Sequence, residues 1–172
     1  TSVLWFESIP PAGAPRPADQ CRHLALSAVG THDLPPTAGY LEGAHNELRS
    51  KLGLVSQSLD ELNANDGVWI GRVLNQARAE GAFADTAFAE TDFSQYDLGE
   101  FDAAGSLDDL LVGLTRFIAS TPSAMTVTNL VDMVGDRRIQ NQPGTNSEQY
   151  SNWCIPLTLS LIHISEPTRR YA

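Results

Sequence analysis

Cysteine, basic charge and long apolar runs are all scarce in this chain, and each shortage excludes something. The two cysteines, Cys21 and Cys154, stand far apart and neither belongs to a CxxC pair. They cannot build a disulfide framework, so a reducing compartment, the cytoplasm, is expected. Against 21 Asp+Glu there are only 11 Lys+Arg, a formal charge of −10. That balance argues against nucleic acid or an anionic membrane as partner, because both reward clustered cations, and it leaves neutral ligands such as sugars open. No apolar run approaches the ~20 residues of a spanning helix. The four histidines (His23, His32, His45, His163) show no H-x3-H spacing, so no metal site is expected. The chain also lacks an initiator Met and a signal-like opening, and it starts inside an apolar run, Val3–Phe6. It reads as a piece of something longer.

The hydrophobic share of 42% is ordinary for one globular domain. Three apolar or β-branched runs read as strands: Val3–Phe6, Leu24–Val29 and Ala124–Thr128. The continuous apolarity of the second suits a strand covered on both faces, as in parallel sheets. Ser8–Pro17 reads as a surface loop on its Pro and Gly content. Leu41, Ala44, Leu48 and Leu52 recur at helical spacing, with Gly53 as C-cap. Ser58 and Glu61 have capping-box spacing, with an interruption expected near 63–67 and helix again over 68–80. The stretch 81–105 reads as an irregular connection. Ser106–Asp109 then opens the clearest helix, with Leu107, Leu110, Leu111, Leu114 and Ile118 on one stripe, ended by Thr121-Pro122. Strand, helix, strand, helices, strand is a βαβ alternation, and the fold class is α/β.

Chemistry concentrates in Gly30–Tyr40, GTHDLPPTAGY. There an apolar strand ends in His32-Asp33 and breaks at Pro35-Pro36. Titratable side chains at a strand's carboxyl end are where α/β barrels carry their sites. Read from the residues alone, two accounts stay open. Asp33 could cap the backbone of a turn with His32 beside it on the rim. Alternatively, Asp33 could accept from sugar hydroxyls that bind more tightly as the ring flattens toward an oxocarbenium ion, with His32 donating to a further hydroxyl. A retaining glycosidase or transglycosylase also needs two carboxyls about 5 Å apart, as nucleophile and acid/base, and this pair cannot supply those too.

Three blocks carry a family resemblance: TSVLWFE (Thr1–Glu7), LALSAVGTHDLPPTAGYLEG (Leu24–Gly43) and NLVDMVGDRRIQNQPGTNSEQYSNW (Asn129–Trp153). In order and spacing they resemble the carboxyl-terminal half of the 4-α-glucanotransferases, the amylomaltases of glycoside hydrolase family 77. The resemblance implies a partial (β/α)8 barrel, its last three strands with their helices, over residues 1–157. It implies Asp33 as transition-state stabiliser and His32 as the neighbour that contacts the donor glucose. By the same token Asn141, Pro143 and Gly144 would line the glucan-binding rim, although a plain Pro-Gly turn remains the alternative for that loop. Asp132 matches a family Asp to which the pattern gives no role. α-1,4-Glucans and maltooligosaccharides are the implied substrates, with no metal or organic cofactor. The family's nucleophilic Asp and acid/base Glu belong to earlier strands, and Glu7 falls too late in the pattern to be that Glu. The expectation is therefore a fragment inactive on its own, with a non-catalytic glucan-binding module or an orphan barrel piece as competing readings. Residues 158–172, containing LSLIHISEPTR, resemble a translated sequencing adapter and read as a non-native tail, against an amphipathic terminal strand.

Overall fold

In chain order the strands are β1 (Ser2–Val3), β2 (Ser8–Ile9), β3 (Ala14–Pro15), β4 (Leu26–Ala28) and β5 (Met125–Val127). The helices are α1 (Thr37–Leu41), α2 (Ala44–Lys51), α3 (Leu59–Ala79), α4 (Leu107–Ala119) and α5 (Leu130–Met133). The structure, a computed structural model, describes residues 1–11, 13–98 and 106–158. The expected tail beyond Thr158 therefore lies outside the described residues.

β1, β4 and β5 form one parallel sheet in that order, with Ser2 opposite Ser27 and Ser27 opposite Thr126. The α/β class follows the sequence pattern, and β4 and β5 fall within the second and third expected runs, but β1 shares only Val3 with the expected Val3–Phe6. Leu4–Phe6 is a 3-10 turn rather than strand, closed by Glu7 N–H on Leu4 O at 3.1 Å. This turn drives Leu4 and Trp5 into the core and leaves Phe6 68% exposed. At its carboxyl end β4 is covered on both faces, since the consecutive residues Ser27 and Ala28 point to opposite sides of the sheet; exposure lies at its start and along β5. Ser27 and Ala28 are buried while Leu26 is 36% and Met125 61% exposed. The Ser8–Pro17 stretch is more ordered than a loop: β2 and β3 pair antiparallel, and Arg16 Nε donates to Glu7 Oε2 at 2.8 Å.

The expected helix after Thr37 is two helices, because Gly43 takes φ +81° between α1 and α2. α2 buries His45 and Asn46 instead of its leucine stripe. Asp66 on α3 receives them both. His45 Nε2 lies 2.8 Å from Asp66 Oδ2, and Asn46 Nδ2 donates to the same oxygen at 2.8 Å. α3 itself runs unbroken through the expected interruption, opened by a complete Ser58/Glu61 capping box. The segment after it folds back across α3 at its glycines. A Cβ on Gly67 would lie 2.6 Å from Tyr96 O, closer than packing permits. That return buries Phe83, Phe88 and Phe93 beside Ile70, Leu74, Leu110, Leu114 and Phe117. Truncating one such phenylalanine would cost about 3–5 kcal/mol. Among the described residues no helix is long and apolar enough to cross a membrane.

Candidate functional site

Two loops meet at the carboxyl ends of β4 and β5. The first leaves β4 through Val29-Gly30 and turns at Thr31–Leu34, closed by Leu34 N–H on Thr31 O at 3.1 Å. Pro35-Pro36 prevents continued strand, and α1 begins at Thr37. The second loop leaves β5 into α5 and is tied across to the first by Asp132. Its Oδ1 accepts Thr37 N–H at 2.6 Å, a free donor of α1's first turn. Burial pushes the Asp132 carboxyl up, and hydrogen bonds from Thr37 N–H and the Asn129 side chain offset that only in part. The sequence pattern gave Asp132 no role; in the fold it joins the two site loops. The join is tight: a Cβ on Gly39 of α1 would collide with Arg137 O. Just beyond, Arg137 Nε donates to Glu42 Oε2 at 2.6 Å.

On this frame His32 and Asp33 sit exposed at the tip of the first loop. Asp33 Oδ2 is 3.3 Å from His32 Nε2, and the Asp33 side chain keeps 59% of its exposure. Asn141 of the second loop donates from Nδ2 to Asp33 Oδ1 at 3.1 Å. Among the described residues the contacts of the Asp33 carboxylate are these two side chains and no backbone amide. The carboxylate holds unused lone pairs toward solvent.

The loop Asn141–Thr145 is built to a fixed shape from its far end. Asn152 Oδ1 accepts Gln142 N–H at 2.7 Å, while Asn152 Nδ2 donates to Thr145 Oγ1 at 2.9 Å. Thr145 Oγ1 in turn donates to Gln142 O at 2.7 Å. Pro143 and Gly144 lie exposed at its tip, Gly144 with φ +83°, while Asn141 is the residue of this loop that reaches Asp33 among the described residues. Trp153, absent from the sequence-based candidates, packs beside His32 with ring centroids 5.7 Å apart. Its place in the NQPGT…NW block was the signal available.

Glu7 is occupied elsewhere. It is buried and accepts from Ser2 Oγ at 2.6 Å and from Arg16 Nε, an arrangement that supports the hairpin. Among the described residues no three His, Cys, Asp or Glu side chains assemble as metal ligands. A surface hollow of about 360 Å³ between β3 and α3 is lined by Ala14, Pro15, Arg72, Asn75 and Gln76, and shares no residue with this rim.

Comparison with known proteins bears directly on this rim. Residues 1–160 match the sequence pattern of the glycoside hydrolase family 77 enzymes, described as 4-alpha-glucanotransferase. The chain belongs to this family. It is 41% identical over 165 residues to the 4-alpha-glucanotransferases of Mycobacterium bovis and Mycobacterium tuberculosis, covering 92% of this chain and 20% of each relative. It also superposes on the crystal structure of amylomaltase from Corynebacterium glutamicum with a TM-score of 0.77 at 46% identity, over 91% of this chain and 21% of that one. The chain thus spans about a fifth of the length of the family members it matches.

Proposed function

We propose that residues 1–157 are the closing part of a glycoside hydrolase family 77 catalytic barrel, with residues 158–172 a non-native tail. In the complete barrel, residues before Thr1 supply the nucleophile and the acid/base, and this chain supplies Asp33. The reaction is transfer of an α-1,4-glucan segment to the 4-hydroxyl of an acceptor sugar, in the cytoplasm, by two displacements at one anomeric carbon. The nucleophile forms the glycosyl-enzyme bond while the acid protonates the departing glucan oxygen. The acceptor hydroxyl then gives its proton to the same group and takes the glucosyl carbon. Asp33 accepts from the donor ring's hydroxyls at both oxocarbenium-like states, where ring flattening strengthens those bonds. His32 orients the ring, and Asn141 fixes the carboxylate, with Pro143 and Gly144 lining the rim.

What carries this reading is the setting of Asp33: a carboxylate beyond a strand's carboxyl end, hydrogen-bonded by Asn141 of the other loop, with His32 3.3 Å away and most of its surface open. Parallel order β1-β4-β5 is also what three successive strands of a (β/α)8 barrel would show.

The test is Asp33→Ala in a full-length protein carrying this segment. Turnover in maltotriose disproportionation should fall about 10²–10³-fold, in line with the loss of one transition-state contact. The Michaelis constant should change little. Unchanged turnover with a raised Michaelis constant would reduce Asp33 to a ground-state contact. The 172-residue chain alone should show no turnover of maltotriose above a buffer blank.

A further inference from the structure

Trp153 combines a strained backbone, an exposed side chain and a ring contact with His32. Among the described residues it is the one non-glycine with a left-handed backbone, φ +62°, a conformation that costs a bulky side chain and suits glycine. Trp153 is nevertheless 55% exposed, so burial does not offset the strain. Its ring lies against His32 at 5.7 Å, tilted by 42°, and His32 in turn meets Asp33. The backbone is held there deliberately. Trp153 N–H donates to Gln140 O at 2.8 Å, and neighbouring Asn152 is bonded twice into the Asn141–Thr145 loop.

Strained backbones persist where the surrounding structure over-determines them, and such positions cluster at ligand sites. An exposed aromatic held at such cost beside a polar pair is half of a sugar-binding arrangement. A pyranose presents one apolar C–H face and a rim of hydroxyls, so it needs a flat ring and adjacent hydrogen-bonding groups. Charge points the same way: a chain of net charge −10 disfavours an anionic ligand and is indifferent to a neutral one.

We propose that Trp153 is a specificity-determining platform, stacking its indole on a pyranose ring of a neutral α-glucan whose hydroxyls reach His32 and Asp33. This rests on the glucanotransferase reading of the rim and adds a contact to it.

Calorimetric titration of the 172-residue chain with maltoheptaose, beside acrylamide quenching of tryptophan emission, tests it. Trp5 is buried and Trp69 half-buried, joined by Trp69 Nε1 donating to Trp5 O at 3.1 Å, so exposed emission comes from Trp153. Maltoheptaose should shield that emission from acrylamide. Trp153→Gly, which relieves the backbone while removing the ring, should melt at or above the parent temperature yet bind about tenfold more weakly. Binding with unchanged quenching, or equal affinity in Trp153→Gly, overturns the assignment and leaves the glucan reading of the rim intact. A Trp153→Gly chain melting well below the parent marks the ring as structural and overturns it too. Absence of any maltoheptaose binding to the parent would instead remove the glucan reading of this chain, and the platform with it.

Discussion

Burial and hydrogen bonding act in opposite directions on Asp136, just past α5. Enclosure alone raises a carboxyl's pKa, and this side chain is fully enclosed. Yet the Arg138 guanidinium, the N–H groups of Arg138 and Thr158 and the Thr158 hydroxyl outweigh that effect, holding Asp136 well below the usual carboxylate range. Asp66 is lowered in the same sense: burial raises it, but bonds to His45 and Asn46 prevail. A carboxyl lowered in the folded state contributes stability that is complete above its unfolded value of about 4 and is lost as pH falls below that. Asp132 has the opposite sign, because burial prevails over its hydrogen bonds. Its contribution is present at low pH and lost as pH rises through its folded value, which partly offsets the other two. Urea unfolding followed from neutral pH to pH ~3 should therefore show stability falling below about pH 4. Asp136→Asn should cost about 1–3 kcal/mol at neutral pH and flatten that acid limb. An acid limb unchanged in the variant would mean that the network around Arg138 contributes nothing to it.

Among the elements, α3 shows where local preference and packing part company. Ala exceeds Gly by about 1 kcal/mol in a helix interior, so Gly67→Ala should stabilise α3 on propensity alone. The new Cβ would meet Tyr96 O at 2.6 Å, a backbone atom that cannot swing aside. Overpacking of this kind costs about 1–3 kcal/mol, so a net loss of stability is expected in thermal melts. A raised melting temperature would show that the 93–96 segment is free to lift off the helix. The same contrast explains what the sequence reveals. Ser58/Glu61 and Ser106/Asp109 are local chemistry, and both boxes form as their spacing predicts. The interruption expected at 63–67 fails because glycine there serves a close approach from a segment nearly thirty residues away, which no local window contains. His45 and Asn46 break the leucine stripe of α2 for a similar reason: their partner, Asp66, lies on another helix. At the rim, His32 and Asp33 are legible as polar residues ending an apolar run, and Asn141 through the family resemblance. Its bond to Asp33 joins positions 108 apart. The left-handed backbone of Trp153 leaves no compositional trace, since tryptophan is among the residues least at ease there.

At the scale of the whole molecule, sheet and charge work against each other. Among the described residues β1 and β5 each pair on one side only, and β5 is exposed along its length. Phe6, Leu26, Met125 and Val127 add apolar surface around those edges. Such edges template pairing with another chain. A net charge of −10 on 172 residues opposes that approach, but over a range set by salt: about 10 Å at 0.1 M and about 3 Å at 1 M. Hydrophobic and strand-pairing attraction is not screened in this way. Sedimentation velocity should therefore find the isolated chain increasingly self-associated as salt and protein concentration rise. If the remaining strands of a barrel normally occupy these edges, co-expression with the preceding part of a full-length family member should suppress the association. A chain that stays monomeric at high salt would instead favour a self-sufficient glucan-binding module, whose exposed strand is tolerated without a partner.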